Sequence, residues 1–144
     1  MSRIVLLLTL FVLNATVALA APIDGPERFV LFAVNETENE EGLLRTVHMK
    51  LVNRQQQEVG EMDLVVTLTQ VPPEPEGPVR GVVTGVATLS GGQIVAQGAF
   101  TAGVESFELA VVGGTGDFRR VRGDVKVVPG VDDGPSKLVV RLRD

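Results

Sequence analysis

Arg80-Gly81-Val82-Val83-Thr84-Gly85-Val86-Ala87-Thr88-Leu89-Ser90-Gly91-Gly92-Gln93-Ile94-Val95-Ala96-Gln97-Gly98-Ala99-Phe100-Thr101 reads as two β-strands and the turn between them. Val, Ile and Thr crowd both arms, and no helical period runs through either. Ser90-Gly91-Gly92-Gln93 is a tight hairpin connection, because glycine takes the positive φ that two-residue loops demand. Outward from this hairpin the same texture repeats to both ends of the segment 21–144. Eight runs emerge: Phe29–Val34, Leu44–Asn53, Gly60–Val71, Val79–Ser90, Gln93–Thr101, Glu105–Val112, Asp117–Val128 and Ser136–Arg143. Gly, Pro, Asn and Asp separate them, which is the pattern of an all-β sandwich or barrel.

The connections are too short for parallel crossovers, which need a dozen residues or more. Thr101-Ala102-Gly103-Val104 is a short turn, and Pro129-Gly130 with Asp132-Asp133-Gly134-Pro135 forms the last hairpin. The longest break, Pro72–Pro78, holds four prolines and two glutamates and predicts a stiff surface loop. Alternation assigns faces. Val47, Met49 and Leu51 oppose Thr46, His48 and Lys50; Leu138, Val140 and Leu142 oppose Lys137, Val139 and Arg141. Val121, Gly123, Val125 and Val127 oppose Arg120, Arg122, Asp124 and Lys126. One face is buried and one is wet, as in antiparallel sheets. The third run is apolar on most positions of both faces (Met62, Leu64, Val65, Val66, Leu68), which predicts cover on both sides, such as a subunit contact. Eight strands of this kind close into a barrel with room for one small ligand.

Residues 1–20 read differently. Arg3 precedes a nearly unbroken apolar run, Ile4 to Ala20, that ends in Ala18-Leu19-Ala20. A charged start, an apolar stretch and small residues at the cleavage positions make a secretory signal peptide. Residues 21–144 are then a single exported β-barrel domain, secreted or periplasmic, with no membrane segment once the signal is removed. The chain has 13 Lys and Arg against 18 Asp and Glu, for a net charge of −5. That balance argues against a nucleic-acid partner, which calls for a basic stripe. With no Cys and one His, disulfide scaffolds, thiol catalysis, Cys-ligated zinc and two-His zinc motifs are excluded. No metal and no cofactor is expected. Asn35, Glu36, Glu38, Asn39, Glu40 and Glu41 cluster oxygen atoms, yet their spacing matches no EF-hand loop. They read as a solvated hairpin tip.

Ala110-Val111-Val112-Gly113-Gly114-Thr115-Gly116-Asp117-Phe118-Arg119-Arg120-Val121-Arg122-Gly123 resembles the signature of dirigent proteins: an apolar strand, Gly-Gly-Thr-Gly, one residue, Phe-Arg, two residues, Arg-Gly. Gly92-Gln93-Ile94-Val95-Ala96-Gln97-Gly98 is similar to the preceding strand in exported bacterial members of the allene oxide cyclase barrel-like group. The likeness covers most of Thr46–Val128. It implies an eight-stranded antiparallel barrel that is usually oligomeric, with a homodimer or homotrimer as the candidate assemblies. It also implies an apolar cavity that fixes the conformation of a small apolar organic molecule. Dirigent proteins steer radical coupling, allene oxide cyclases close an epoxide, and related bacterial barrels cyclise polyketide intermediates. Such work rests on positioning and desolvation and needs no nucleophile. A non-catalytic secreted binding or structural barrel is the alternative.

The signature itself reads as structural. Gly113, Gly114 and Gly116 are expected to supply positive φ, Thr115 to hydrogen-bond its own turn, and Gly123 to make a bend within a strand. A phosphate-binding loop is excluded by context, because no helix and no Lys-Ser or Lys-Thr follows the glycines. Plant dirigent proteins carry an acid and an Arg just before this strand. Here Glu108 stands at the acid and Phe107 at the Arg, and the chain has no Tyr. The catalytic residues stay unassigned, with three candidates. Glu108 would be a general acid if it pointed inward, and a surface carboxylate otherwise. His48 shares a polar face with Thr46 and Lys50. Arg119 and Arg122 fall on opposite strand faces, so at most one points inward, where Glu108 or Asp124 could pair with it.

Overall fold

The computed structural model describes residues 27–71, 77–132 and 134–143. The segment read as a signal peptide, 1–20, lies outside them, as does most of the proline-rich break. The strands are β1 (Glu27–Glu41), β2 (Leu44–Val52), β3 (Glu58–Gln70), β4 (Arg80–Leu89), β5 (Gly92–Thr101), β6 (Phe107–Gly114), β7 (Arg122–Val128) and β8 (Ser136–Arg143). They form a closed barrel in chain order. Every neighbouring pair is antiparallel, and β8 returns to β1. The all-β, eight-stranded antiparallel barrel expected from the alternation is therefore what the chain adopts.

Two elements differ from the sequence reading. β1 does not stop at Val34. It runs on through the acidic segment to Glu41, so those residues are strand and the hairpin tip is Gly42-Leu43. The physical reason is pairing. Residues Leu44 to His48 begin β2 next to the turn, and antiparallel partners must come from the residues just before it. β1 serves two neighbours in sequence, β8 along Glu27–Ala33 and β2 along Phe32–Glu41. Between Asn35 and Thr37 the β1–β2 register shifts by one residue, a β-bulge.

The second difference concerns the signature. Gly113 and Gly114 belong to β6, a short 3-10 turn follows at Gly116–Phe118, and β7 starts only at Arg122. Of the three turn glycines only Gly116 has positive φ, 60°. Gly114 is needed for a different reason: a Cβ there would overlap the carbonyl oxygens of Gln93 and Phe118. Thr115 does not bond its own turn through its side chain. Its Oγ1 accepts from the Gln93 N–H at 3.0 Å, while the Thr115 N–H donates to the Gln93 carbonyl at 2.9 Å and the Asp117 N–H to Gly91 at 2.9 Å. The signature turn is sewn to the β4–β5 hairpin. Gly123 has φ of 152°, and β8 passes so close that a Cβ would overlap the Arg141 carbonyl oxygen.

Inward residues follow the predicted alternation. Leu31, Met49, Met62, Val83, Ile94, Leu109, Val125, Leu138 and Val140 are buried, and among the described residues no polar or charged residue is. One end of the barrel is solid. Leu51 and Leu142 are 0% exposed and pack with Val59, Leu89, Phe118 and Val121 in the same core. Full burial of a leucine side chain stabilises by about 1.5–3 kcal/mol. The outward face of β3 is not covered in the single chain: Val65 is 45% exposed, with Val82 and Val112 also exposed on β4 and β6.

Candidate functional site

The other end is hollow. A cavity of about 420 Å³ runs between the strand walls. Its walls are inward side chains of the strands: Leu31, Met49, Met62, Leu64, Val83, Ile94, Leu109, Val125 and Val140 among them. Small residues leave the space. Ala33, Gly85, Ala87 and Ala96 line it at positions where a larger side chain would occupy the interior. Antiparallel order puts the β5–β6 and β7–β8 loops at one end, and Ala102, Gly103, Val104 and Pro129 from those loops complete the lining. Leu51, Val59, Phe118, Val121 and Leu142 do not line it, so the cavity ends against the solid plug.

Phe29, Phe100 and Phe107 face the cavity, and the Phe100 and Phe107 rings lie 6.0 Å apart, tilted by 44°. Polar groups are few. Among the described lining residues Thr101 and Ser136 offer hydroxyls, and Glu38 is the one charged side chain. Ser136 Oγ already accepts from the Gly130 N–H at 3.3 Å. The described lining residues offer no pre-aligned nucleophile and base. They can enclose an apolar molecule, strip its water and hold one conformation. No group of three or more His, Asp or Glu suited to a metal ion stands together among the described residues.

The three catalytic candidates lie outside this cavity. Glu108 alternates with the inward Phe107 and Leu109, so it points outward, is exposed, and faces Lys126 across the β6–β7 ladder. His48 is on the outer face of β2, with Nδ1 2.8 Å from Oδ1 of its cross-strand neighbour Asp63. Arg119 and Arg122 are both exposed, so of the pair of which at most one could point inward, neither does. Arg119 caps its own turn, Nε to the Gly116 carbonyl at 3.2 Å, and Arg122 bonds the Val121 carbonyl at 2.9 Å. Asp124 pairs with Arg141 on β8 at 3.5 Å, not with Arg122. Arg119 misses the interior because it follows the 3-10 turn and lies on no strand, and Arg122, the first residue of β7, is exposed beside the buried Val121.

The signature residues instead build the solid end. Phe118, 7% exposed, is its buried ring, and Gly114, Thr115, Gly116 and Gly123 allow the close backbone approaches around it. Phe107, which stands where the plant pattern has Arg, is a cavity wall residue. Glu38 was missed because the acidic segment read as a loop. The signal that places it is the pairing demand of β2, whose first residues need a partner strand across Gly42.

No protein-family model matches the chain, and no curated protein matches it in sequence. Solved structures do match in shape. A pyocyanin demethylase superposes with a TM-score of 0.69 at 18% identity, over 81% of this chain and 100% of that one. An exo-specific intermolecular Diels-Alderase gives 0.67 at 12%, over 83% and 98%. A pterocarpan synthase dirigent protein gives 0.55 at 18%, over 81% and 91%. At these identities the likeness is one of fold: the chain shares the barrel of dirigent proteins and of cycloaddition-catalysing barrels.

Proposed function

We propose that this protein binds one small apolar organic molecule inside the barrel and steers its reaction by holding one conformation, in the manner of a dirigent or cyclase barrel. The observation that carries the reading is the apolar cavity of about 420 Å³, closed at one end by the Phe118 plug. At about 30 Å³ per water, that space holds about fourteen waters, the room of two or three fused rings. Shape neighbours named for a demethylase, a Diels-Alderase and a pterocarpan synthase support it, since each is named for work on organic molecules. The N-terminal sequence adds that this takes place outside the cytoplasm, in a secreted or periplasmic protein.

Titration with N-phenyl-1-naphthylamine, a neutral fluorescent probe of about this size, tests the cavity. One probe should bind per barrel. Ala87→Phe, which places a ring in the hollow, should weaken binding at least tenfold while the barrel stays folded by circular dichroism. A folded wild-type protein that ignores the probe, or an Ala87→Phe variant that binds it equally well, would overturn the proposal.

A further inference from the structure

The bulge in β1 changes which side chains look inward. From Leu31 and Ala33 an unbroken strand would turn Thr37, Asn39 and Glu41 toward the interior. The register shift between Asn35 and Thr37 reverses this, so that Glu38 stands opposite Val47 and Glu40 opposite Arg45. Val47 is a cavity wall residue, and Glu38 lines the cavity beside it. Bulges of this kind re-aim side chains next to functional sites.

Glu38 is the one charged group among the described lining residues. Glu40 and Arg45 form an ion pair of their own at 3.4 Å. Among the described residues no hydrogen bond or ion pair reaches the Glu38 carboxylate. Glu38 is also exposed to solvent, so the protein sets an unpaired negative charge at the rim of an apolar cavity. A carboxylate in that position accepts charge-assisted hydrogen bonds from a ligand cation and repels a ligand anion. Phe29 on β1 and Phe100 and Phe107 on β5 and β6 add aromatic faces to the same lining, and such faces attract cations as well.

We propose that Glu38 is the specificity group of the cavity and selects ligands with an apolar ring system and a single basic nitrogen, held with the nitrogen at the Glu38 carboxylate. This rests on the cavity being a ligand site, as proposed above, and names the class of molecule it takes. Glu38 positions the ligand by its charged group, and the apolar walls hold the rings.

Three matched probes test it: 1-naphthylmethylamine, 1-naphthalenemethanol and 1-naphthoic acid, which are cationic, neutral and anionic at pH 7. The chain has no Trp and no Tyr, so naphthalene fluorescence is read against a silent protein. The amine should bind about fivefold tighter than the alcohol, the gain of an exposed ion pair, and the acid should bind weakest. Glu38→Gln should bring the amine's affinity down to within about twofold of the alcohol's, and Glu40→Gln should keep the preference. If the alcohol binds and the amine gains nothing over it, or if Glu38→Gln retains the preference, the assignment of Glu38 is overturned and the cavity stands. If none of the three probes binds folded protein, the cavity reading falls and this inference falls with it.

Discussion

The difference between the solid and the hollow end can be measured with one kind of substitution. Leu142 is 0% exposed within the plug, and Leu64 is a half-buried wall residue of the cavity. Truncating a packed leucine loses its transfer free energy and leaves a new void, about 3–5 kcal/mol together. Leu142→Ala should cost that much. Leu64→Ala removes methyl groups that already border empty space, so the void term is nearly absent and only part of the transfer term is lost. Its cost should be about 1–1.5 kcal/mol. The two variants should therefore differ by about 2 kcal/mol or more. Urea unfolding reads this directly. With a slope of about 1.5 kcal/mol/M, the Leu142→Ala midpoint should fall about 1.3 M further than that of Leu64→Ala. Both slopes should match the wild type, so that the shift reports stability alone. Equal losses at the two positions would mean that the hollow is packed in solution. The ligand-based readings would then have nothing to stand on.

Two further outcomes test the signature and the outer face. Gly114→Val should lower stability by about 3 kcal/mol or more, because its side chain meets the Gln93 and Phe118 carbonyls. Gly113→Ala, which meets nothing within 4 Å, should stay within about 1 kcal/mol of wild type. Thermal melts compare them, and an unchanged melting temperature for Gly114→Val would contradict the close approach described here. Glu108→Gln should leave probe affinity within about twofold of wild type, since the carboxylate faces solvent opposite Lys126. A tenfold change in fluorescence titration would put Glu108 back among the functional residues.

The barrel was legible because its inner surface is built by strict alternation. Val47-Met49-Leu51 and Leu138-Val140-Leu142 announce buried faces by period alone. The short glycine-marked turns left antiparallel neighbours as the only economical connection. The site was harder to read, for reasons that are physical. Asn35 to Glu41 has the composition of a loop, and local propensity cannot express that β2 supplies its hydrogen-bond partners. The bulge that turns Glu38 inward shifts alternation by one residue, which no period-2 pattern through Ala33 would locate. Phe118-Arg119 looked like part of a strand, and assigning faces there left room for at most one arginine inside. In the structure a 3-10 turn occupies that place, and the ring plugs the barrel while both arginines stay wet. Glu108 depended on a single parity choice, and Phe107 and Leu109, both apolar, claimed the interior.

The ring is closed by strands from opposite ends of the chain, Phe29 against Val140 and Leu31 against Leu138. Closure therefore waits on β8, the strand that joins β7 to β1. While β8 is still unmade, β1 and β7 are bare edges with unpaired backbone groups, open to pairing with other chains. Pairings between such distant residues fold slowly, on the millisecond to second scale, because a long loop must be ordered before any contact rewards it. A chain cut before Ser136 would carry two permanent edges and should be a self-associating species. Once Ser136–Arg143 pairs with both β7 and β1, the described strands leave no free edge.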